Sequence, residues 1–493
     1  MNNEESLRLA GRGTLFITIS KAYFIFSGYC IYLVLSRVLT PEQFGIYGVV
    51  TGIVSIINAI VVVGTQQTVS KFVSEDDKRA EAVKDKALKL QLVIGGTIAL
   101  GYFVSQPLIA KLENDPDLLP YLRISTLITA AYSFYAVYLG YLNGQRKFFR
   151  QSGLDVTYST LKLGLICTLA FFLKSTAAAI LGFGLAATVA LGVSPIFAAG
   201  RGSVEKEKTS FLKTADYLRF QFALLGSVLV SNCLQKADLL LLKALGSDFT
   251  DEANRMAGYY TALMAVANVT YQSVVSVAFV IFPMISRASF EDKKEDVATY
   301  VTQTVKYSLM IMALVATVLS SNSRSVLRLV FGESYLVGAP ALSVATYGAM
   351  CYGILYILSA IISSSGKPKI SFAINSITLA ISCFVNFLLI PKLQLLGASV
   401  GTTVAMFCGL ILAGVYVYTK FSSLVSPTSI FRISLATTVT YAIGKFIAAD
   451  ELYLVVGAVL IQITLYLVVL LILKEVGRDE LLAVTVIFGR STR

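Results

Sequence analysis

The sequence predicts an all-α polytopic membrane protein of 14 transmembrane helices: two six-helix lobes followed by two further helices. Three observations predict it. Of its 493 residues, 56% are hydrophobic and only 14% are charged, with a mean hydropathy of +0.73. A soluble chain carries about 25% charged residues, so this one lacks the polar material to face water on all sides. Its apolar runs are close to 20 residues long, the thickness of a bilayer's hydrocarbon. A β-barrel would instead show segments of about 10 residues with alternating hydrophobicity. The third observation is a recurring polar turn. "LNGQRKFFRQ" at 142–151 and "SSSGKPKISF" at 363–372 lie about 220 residues apart, as internal repeats do.

The spans fall near 14–35, 46–64, 90–109, 121–142, 154–173, 177–199, 218–243, 257–282, 301–320, 341–363, 370–390, 396–418, 430–449 and 453–473. Before the first, "MNNEESLRLAGRG" has no signal-cleavage pattern, so that run is expected to stay in the protein. Between the second and third, "TVSKFVSEDDKRAEAVKDKALKLQ" is charged on most faces and looks like a cytoplasmic helix. Between the fourth and fifth, and again between the tenth and eleventh, Gly144 or Gly366 and Pro368 break the helix beside basic residues. Each of these turns is followed by two spans, the second holding a small-residue stretch, "GFGLAATVAL" at 182–191 and "GASVGTTVAM" at 397–406. The openings of the halves also match: "SRVLTPEQFGIYGVVTGI" at 36–53 and "KALGSDFTDEANRMAGYYTALMAV" at 243–266 each run from a basic residue through an acidic loop to Gly, an aromatic and Tyr. The expected domains are therefore 1–205, its repeat at 206–425, and 426–493. The last holds spans 13 and 14, expected outside the twelve-helix core with Gln462 away from the central cavity, and a tail after Lys474 expected as a short interfacial helix.

Charge sets the orientation. There are 41 Lys and Arg against 29 Asp and Glu, a net +12. With the N-terminus in the cytoplasm, roughly 28 basic residues fall inside and about ten outside, the positive-inside bias. Lys71, Lys84, Arg146, Lys147, Lys367 and Lys369 belong to the inner set, and Arg37, Lys111, Lys174, Lys243 and Arg255 to the outer. Both termini are thus expected in the cytoplasm. The basic excess does not read as nucleic-acid binding, because no basic segment is interleaved with aromatics. There is no His, and the six Cys lie within apolar runs, so neither a metal, a cofactor nor a disulfide framework is expected.

Several stretches, taken in order, resemble the polysaccharide-transporter branch of the MOP superfamily, the lipid-linked oligosaccharide flippases related to MATE exporters. They are "LSRVLTPEQFGIYGVV" at 35–50, "KADLLLLKALG" at 236–246, "AGYYTAL" at 257–263, "FPMISR" at 282–287, and 363–399 with Asn375, Asn386, Pro391 and Gly397–Ala398. The resemblance covers the whole chain. It implies two lobes in a V around a central cavity and alternating access. It also implies a membrane-borne substrate, an undecaprenyl-type lipid carrying a glycan on phosphate or pyrophosphate, in the cytoplasmic (inner) membrane. A monomer is expected, with H+ or Na+ coupling left open.

Four ionisable residues lie well within spans: Lys21, Lys162, Lys236 and Asp238. Each costs roughly 2.5–3.5 kcal/mol at a helix centre, so each is expected to face a cavity or a partner. Lys21 continues a stripe of Thr14, Thr18, Gly28 and Tyr32, and reads either as a phosphate contact or as a lysine snorkelling to the headgroups. Lys162 shares a face with Asp155 and reads either as its ion-pair partner or as cavity lining. Ser227, Ser231, Gln235 and Asp238 form a stripe with Asn232 and Lys236 beside it, answered on the next span by Thr261, Asn268, Gln272 and Ser276. Asp238 reads either as an ion-coupling carboxylate or as a partner of Lys236 or Lys243. Asn375 lies on a polar face that suits interhelical packing as well as sugar recognition. Three lysines to one aspartate favour an anionic substrate; a MATE-type exporter of cationic drugs, the alternative, would need buried acids. A membrane glycan polymerase is less favoured. The longest outer loop, near 321–340, holds Glu333 as its only acid, so an enzyme is not expected.

Overall fold

The computed structural model describes residues 3–199, 214–275, 277, 281, 285, 294–447 and 451–475. The elements are α1 (Asn3–Val38), α2 (Pro41–Asn58), α3 (Gly64–Glu75), α4 (Ala80–Leu112), α5 (Leu119–Gly144), α6 (Phe148–Leu173), α7 (Thr176–Ala198), α8 (Thr214–Leu234), α9 (Ala237–Leu245) and α10 (Thr250–Gln272). They continue with α11 (Lys294–Ser321), α12 (Ser323–Val330), α13 (Ala339–Ser364), α14 (Pro368–Phe421), α15 (Pro427–Ile447) and α16 (Leu452–Ile472). The expected tail helix lies mostly outside the described residues, as do most of "FPMISR" and the loop at 200–213. The chain forms two compact units, Met1–Thr261 and Ala262–Arg493.

Eleven described helices are long and apolar enough to cross a membrane, rather than 14. One of them, α14, runs over two expected spans, and α5 and α10 hold two more in helices rich in Ser, Thr, Tyr and Asn. The expected cytoplasmic helix is not a separate element. Its first part extends the second span as α3 and its second part begins α4; the break falls at Asp76, where the backbone turns extended (φ −154°).

In the first unit, α2 starts from a capping box. Gln43 N–H donates to Thr40 Oγ1 and Thr40 N–H to Gln43 Oε1, both at 3.3 Å, with Pro41 as the first helical residue. The helix then passes through a five-residue π turn, Ala59–Val63, into α3. A buried polar chain ties four helices together: Gln221 of α8 donates to Thr65 of α3 (3.0 Å), Thr65 to Gln91 of α4 (3.1 Å), and Gln91 to Ser133 of α5 (2.9 Å). In hydrocarbon, such bonds join helices where the hydrophobic effect does not. Helices α6 and α7 form a hairpin through Lys174 (φ 45°), and Gly182 brings α7 onto the α6 backbone, where a Cβ would lie 2.7 Å from Leu165 O.

In the second unit, α14 is a hairpin rather than a rod. Gln394 adopts φ 50°, the chain folds back, and Asn386 Nδ2 donates to Thr402 Oγ1 at 3.1 Å across the fold. The turn before it matches the turn before α6. Gly366 (φ 82°) and Arg146 (φ 57°) take the left-handed position, and the next N–H closes the motif, Lys367 to Ile362 O (3.3 Å) and Lys147 to Leu142 O (3.0 Å). Spans 13 and 14 appear as α15 and α16, which pack on α11. Gln462 is fully buried there and accepts from Ser321 Oγ (2.8 Å) and Asn322 Nδ2 (3.1 Å). Below it Tyr466 donates to Met310 O (3.0 Å), and buried Glu475 holds Lys306 (3.4 Å) and Arg432 (3.3 Å). Beside this packing lies an apolar cavity of about 710 Å³, lined by Leu309, Tyr347, Phe407, Leu424, Ile430 and Tyr441 among others.

Candidate functional site

The first unit holds a polar cavity of about 490 Å³, within the 300–1,000 Å³ range of about the usual ligand site. Two irregular helices shape it. The π turn after α2 presents Asn58, Ala59, Val62 and Val63, and the break between α8 and α9 presents Asn232 and Lys236. Such π segments and unwound turns recur at functional sites because they free backbone and re-aim side chains. α1 adds Gly28 and Tyr32, α5 adds Tyr132, α6 adds Lys162 and α7 adds Phe183. The lining therefore carries two ammonium groups and no carboxylate. Neither lysine has an ion-pair partner among the described residues. Lys162 Nζ lies 4.3 Å from the Phe183 ring centre and 5.6 Å from that of Phe24, so aromatic faces partly stabilise its charge. An anion 4 Å from one such ammonium gains about 4 kcal/mol at an effective dielectric near 20.

The other sequence candidates separate. Lys21 is half exposed, does not line the cavity, and pairs with the buried Asp155 at 3.5 Å. The α1 stripe thus divides, with Gly28 and Tyr32 on the cavity and Lys21 on α6. Asp155 also receives Tyr135 OH at 3.5 Å, beneath a cluster of Tyr132, Tyr135 and Tyr158 rings with centres 5.1–5.5 Å apart. Asp238 is buried and turned away from the cavity, accepting from Tyr260 OH and Leu239 N–H, each at 2.8 Å; no ion pair joins it to Lys236. Gln235 bonds back to Ser231 O at 3.5 Å. Asn268, Gln272 and Asn375 lie in the second unit: Asn375 accepts from Ser359 Oγ at 3.4 Å, and Gln272 Oε1 is buried without a protein donor.

Sequence reading missed Asn58, Tyr132 and Tyr47, the last of which α2 adds to the lining. Asn58 Oδ1 is buried without a donor and so is available to a ligand. Of the polar residues on span 7, Asn232 and Lys236, beside the stripe, line the cavity, whereas Gln235 and Asp238, within it, do not. The two are four positions apart and so share one helix face, which the sequence alone did not single out over the other.

Known proteins resemble this chain in fold and in sequence. A lipid II flippase, MurJ, in an inward closed conformation superposes with a TM-score of 0.74 at 15% identity, covering 93% of this chain and 97% of that one. A multidrug-resistance MATE transporter of the MOP superfamily, inward-facing, gives 0.70 at 15% identity, over 83% and 98%. At these identities the likeness is one of fold. An uncharacterized membrane protein of Methanocaldococcus jannaschii is 30% identical over 154 residues, 31% of this chain, and the match spans under a third of that relative's length (30%). The family model described as "Polysaccharide biosynthesis protein" matches residues 34–340, more than half of the chain, and takes in both the π turn and the broken helix that shape the cavity. On that match the chain belongs to the polysaccharide biosynthesis protein family.

Proposed function

We propose that this protein is a flippase that moves an undecaprenyl-type lipid bearing a (pyro)phosphate-linked oligosaccharide across the cytoplasmic membrane by alternating access, as a monomer with both termini in the cytoplasm. One observation carries the reading: a cavity between discontinuous helices that holds two unpaired lysines and no acid. A headgroup phosphate is the natural counter-ion for such a site, whereas a cationic drug would be repelled by both lysines and find no carboxylate to offset its charge. Tyr32, Tyr47 and Tyr132 offer aromatic faces to the adjoining sugar. The apolar cavity bounded by α11, α13, the second arm of α14 and α15 suits the polyprenyl tail, which needs no polar contacts. The matched turns at Arg146 and Gly366 support the two-repeat division.

The test is translocation of a fluorescent lipid-linked oligosaccharide in proteoliposomes, with and without a proton or sodium gradient. Protein-dependent flipping that is lost when Lys162 and Lys236 are both replaced by Met is expected. Export of cationic dyes without glycan-lipid flipping would select the MATE reading instead.

A further inference from the structure

At the end of the first unit away from the Arg146 turn, three segments meet over a buried charge cluster. Lys243 of α9 is 0% exposed at its side chain, and its Nζ lies 3.0 Å from Asp115 Oδ2. Asn254 of α10 donates to the same oxygen at 3.1 Å. Glu113, two residues before Asp115, is also buried, and its Oε2 has no protein donor. Around this cluster α2 and α10 touch backbone to backbone. A Cβ on Gly45 would overlap the Asn254 carbonyl, and one on Gly258 would overlap that of Pro41. Arg255 pairs with Glu42 at the rim, and Asn114 Nδ2 donates to Ala244 O at 2.9 Å.

We propose that Glu113, Asp115, Lys243 and Asn254 form a proton-binding latch that holds this end of the first unit closed, and that acid on this side favours closure. The latch rests on the alternating-access reading, whose topology places this end outside. The charge count supports it. Two buried carboxylates face one ammonium, which offsets one of them, so closure requires that the other take up a proton. Glu113 is that group. Burial pushes its carboxyl up from its usual value to about 8, with Lys243 pulling it down and Asp115 pushing it up. The remaining charges nearby face water: Lys111 and Asp117 on its own segment, and Asp248, Asp251, Glu252 and the Arg255–Glu42 pair opposite. When the segments part, Glu113 becomes hydrated and returns to the ordinary carboxylate range. The closed form then binds more protons than the open one between about pH 4.5 and 8. Closure is complete at the acid end of that window and weakens by up to about tenfold per pH unit as pH rises through it. The proton enters and leaves from the same side, so it gates the transporter without driving it.

Hydrogen–deuterium exchange on the full chain in lipid nanodiscs tests this without any substrate. After correction for intrinsic exchange, backbone amides at 113–118 and 243–256 should become at least about tenfold less protected between pH 6 and pH 8.5. Glu113→Gln, which mimics the protonated acid, should stay protected at both. Gly258→Val should expose both segments at either pH. A flat wild-type profile, a wild-type pH response in Glu113→Gln, or unchanged protection in Gly258→Val would each overturn the latch. A flat profile beside intact glycan-lipid flipping removes the latch alone. A normal profile without flipping removes the flippase reading alone.

Discussion

Lys162 and Lys236 reach one cavity from α6 and from the α8–α9 break, and their chemistry there is electrostatic. Replacing either by Met should lower flipping at least about tenfold, since even half of the roughly 4 kcal/mol pair attraction exceeds the 1.4 kcal/mol worth one decade. Arg at either position should retain most of the rate. Initial rates in proteoliposomes, normalised to inserted protein, give the answer; wild-type rates in both Met variants would remove these lysines from the mechanism. Lys21 acts differently. Its head is 53% exposed and it screens buried Asp155, so Lys21→Ala should act through stability. Solvent weakens that pair, and a loss of about 1 kcal/mol, a fall of a few degrees in Tm, is expected. Lys21→Ala/Asp155→Asn should recover the lost Tm, because it leaves no buried charge unpaired.

At the scale of elements, the hairpins depend on small residues. On Gly182 a Cβ would stand 2.7 Å from Leu165 O and 2.9 Å from Ile166 Cα, and backbone cannot move aside as a side-chain tip can. Gly182→Val should cost about 1–3 kcal/mol by overpacking, read as a lower unfolding temperature in detergent. Gly96→Ala, where a Cβ meets nothing within 4 Å, should be neutral. Equal behaviour of the two variants would show that α6 and α7 do not rely on this approach. Helix existence was legible in the hydropathy: every expected span meets a helix. Helix continuity was legible only in part. The fold-back at Gln394 falls in the gap expected between 390 and 396, whereas the π turn at 59–63 and the break at Gln235–Lys236 fall inside stretches that read as single spans. Packing, which no single stretch encodes, decides where a helix yields.

For the whole molecule, the basic residues predict topology. Cysteines introduced at Gln145 and Lys367, labelled from outside intact cells with a membrane-impermeant maleimide, should stay unmodified, while one at Phe249, which is 75% exposed, should react. The opposite pattern would invert the protein. The compact units divide the chain at Thr261, after α8 and α9 have joined the first six spans. A repeat read from sequence marks how the chain duplicated, whereas a compact unit marks what is packed together in one state, and the two boundaries need not coincide.

The sequence by itself determined the solvent and the class of fold. Apolar runs of bilayer length admit only helices, since unpaired backbone groups are too costly in hydrocarbon. Ionisable residues within those runs mark function. Tertiary structure decided which charges remain free. Lys21, Lys162 and Lys236 look alike along the chain, yet one meets Asp155 across α1 and α6 while the other two line one cavity without an ion-pair partner among the described residues. Lys243, read from sequence as an outer basic residue and a possible partner of Asp238, instead pairs in the fold with buried Asp115, 128 positions away. Pairing depends on distances of a few ångströms between residues far apart in sequence, and only the packed helices set those distances.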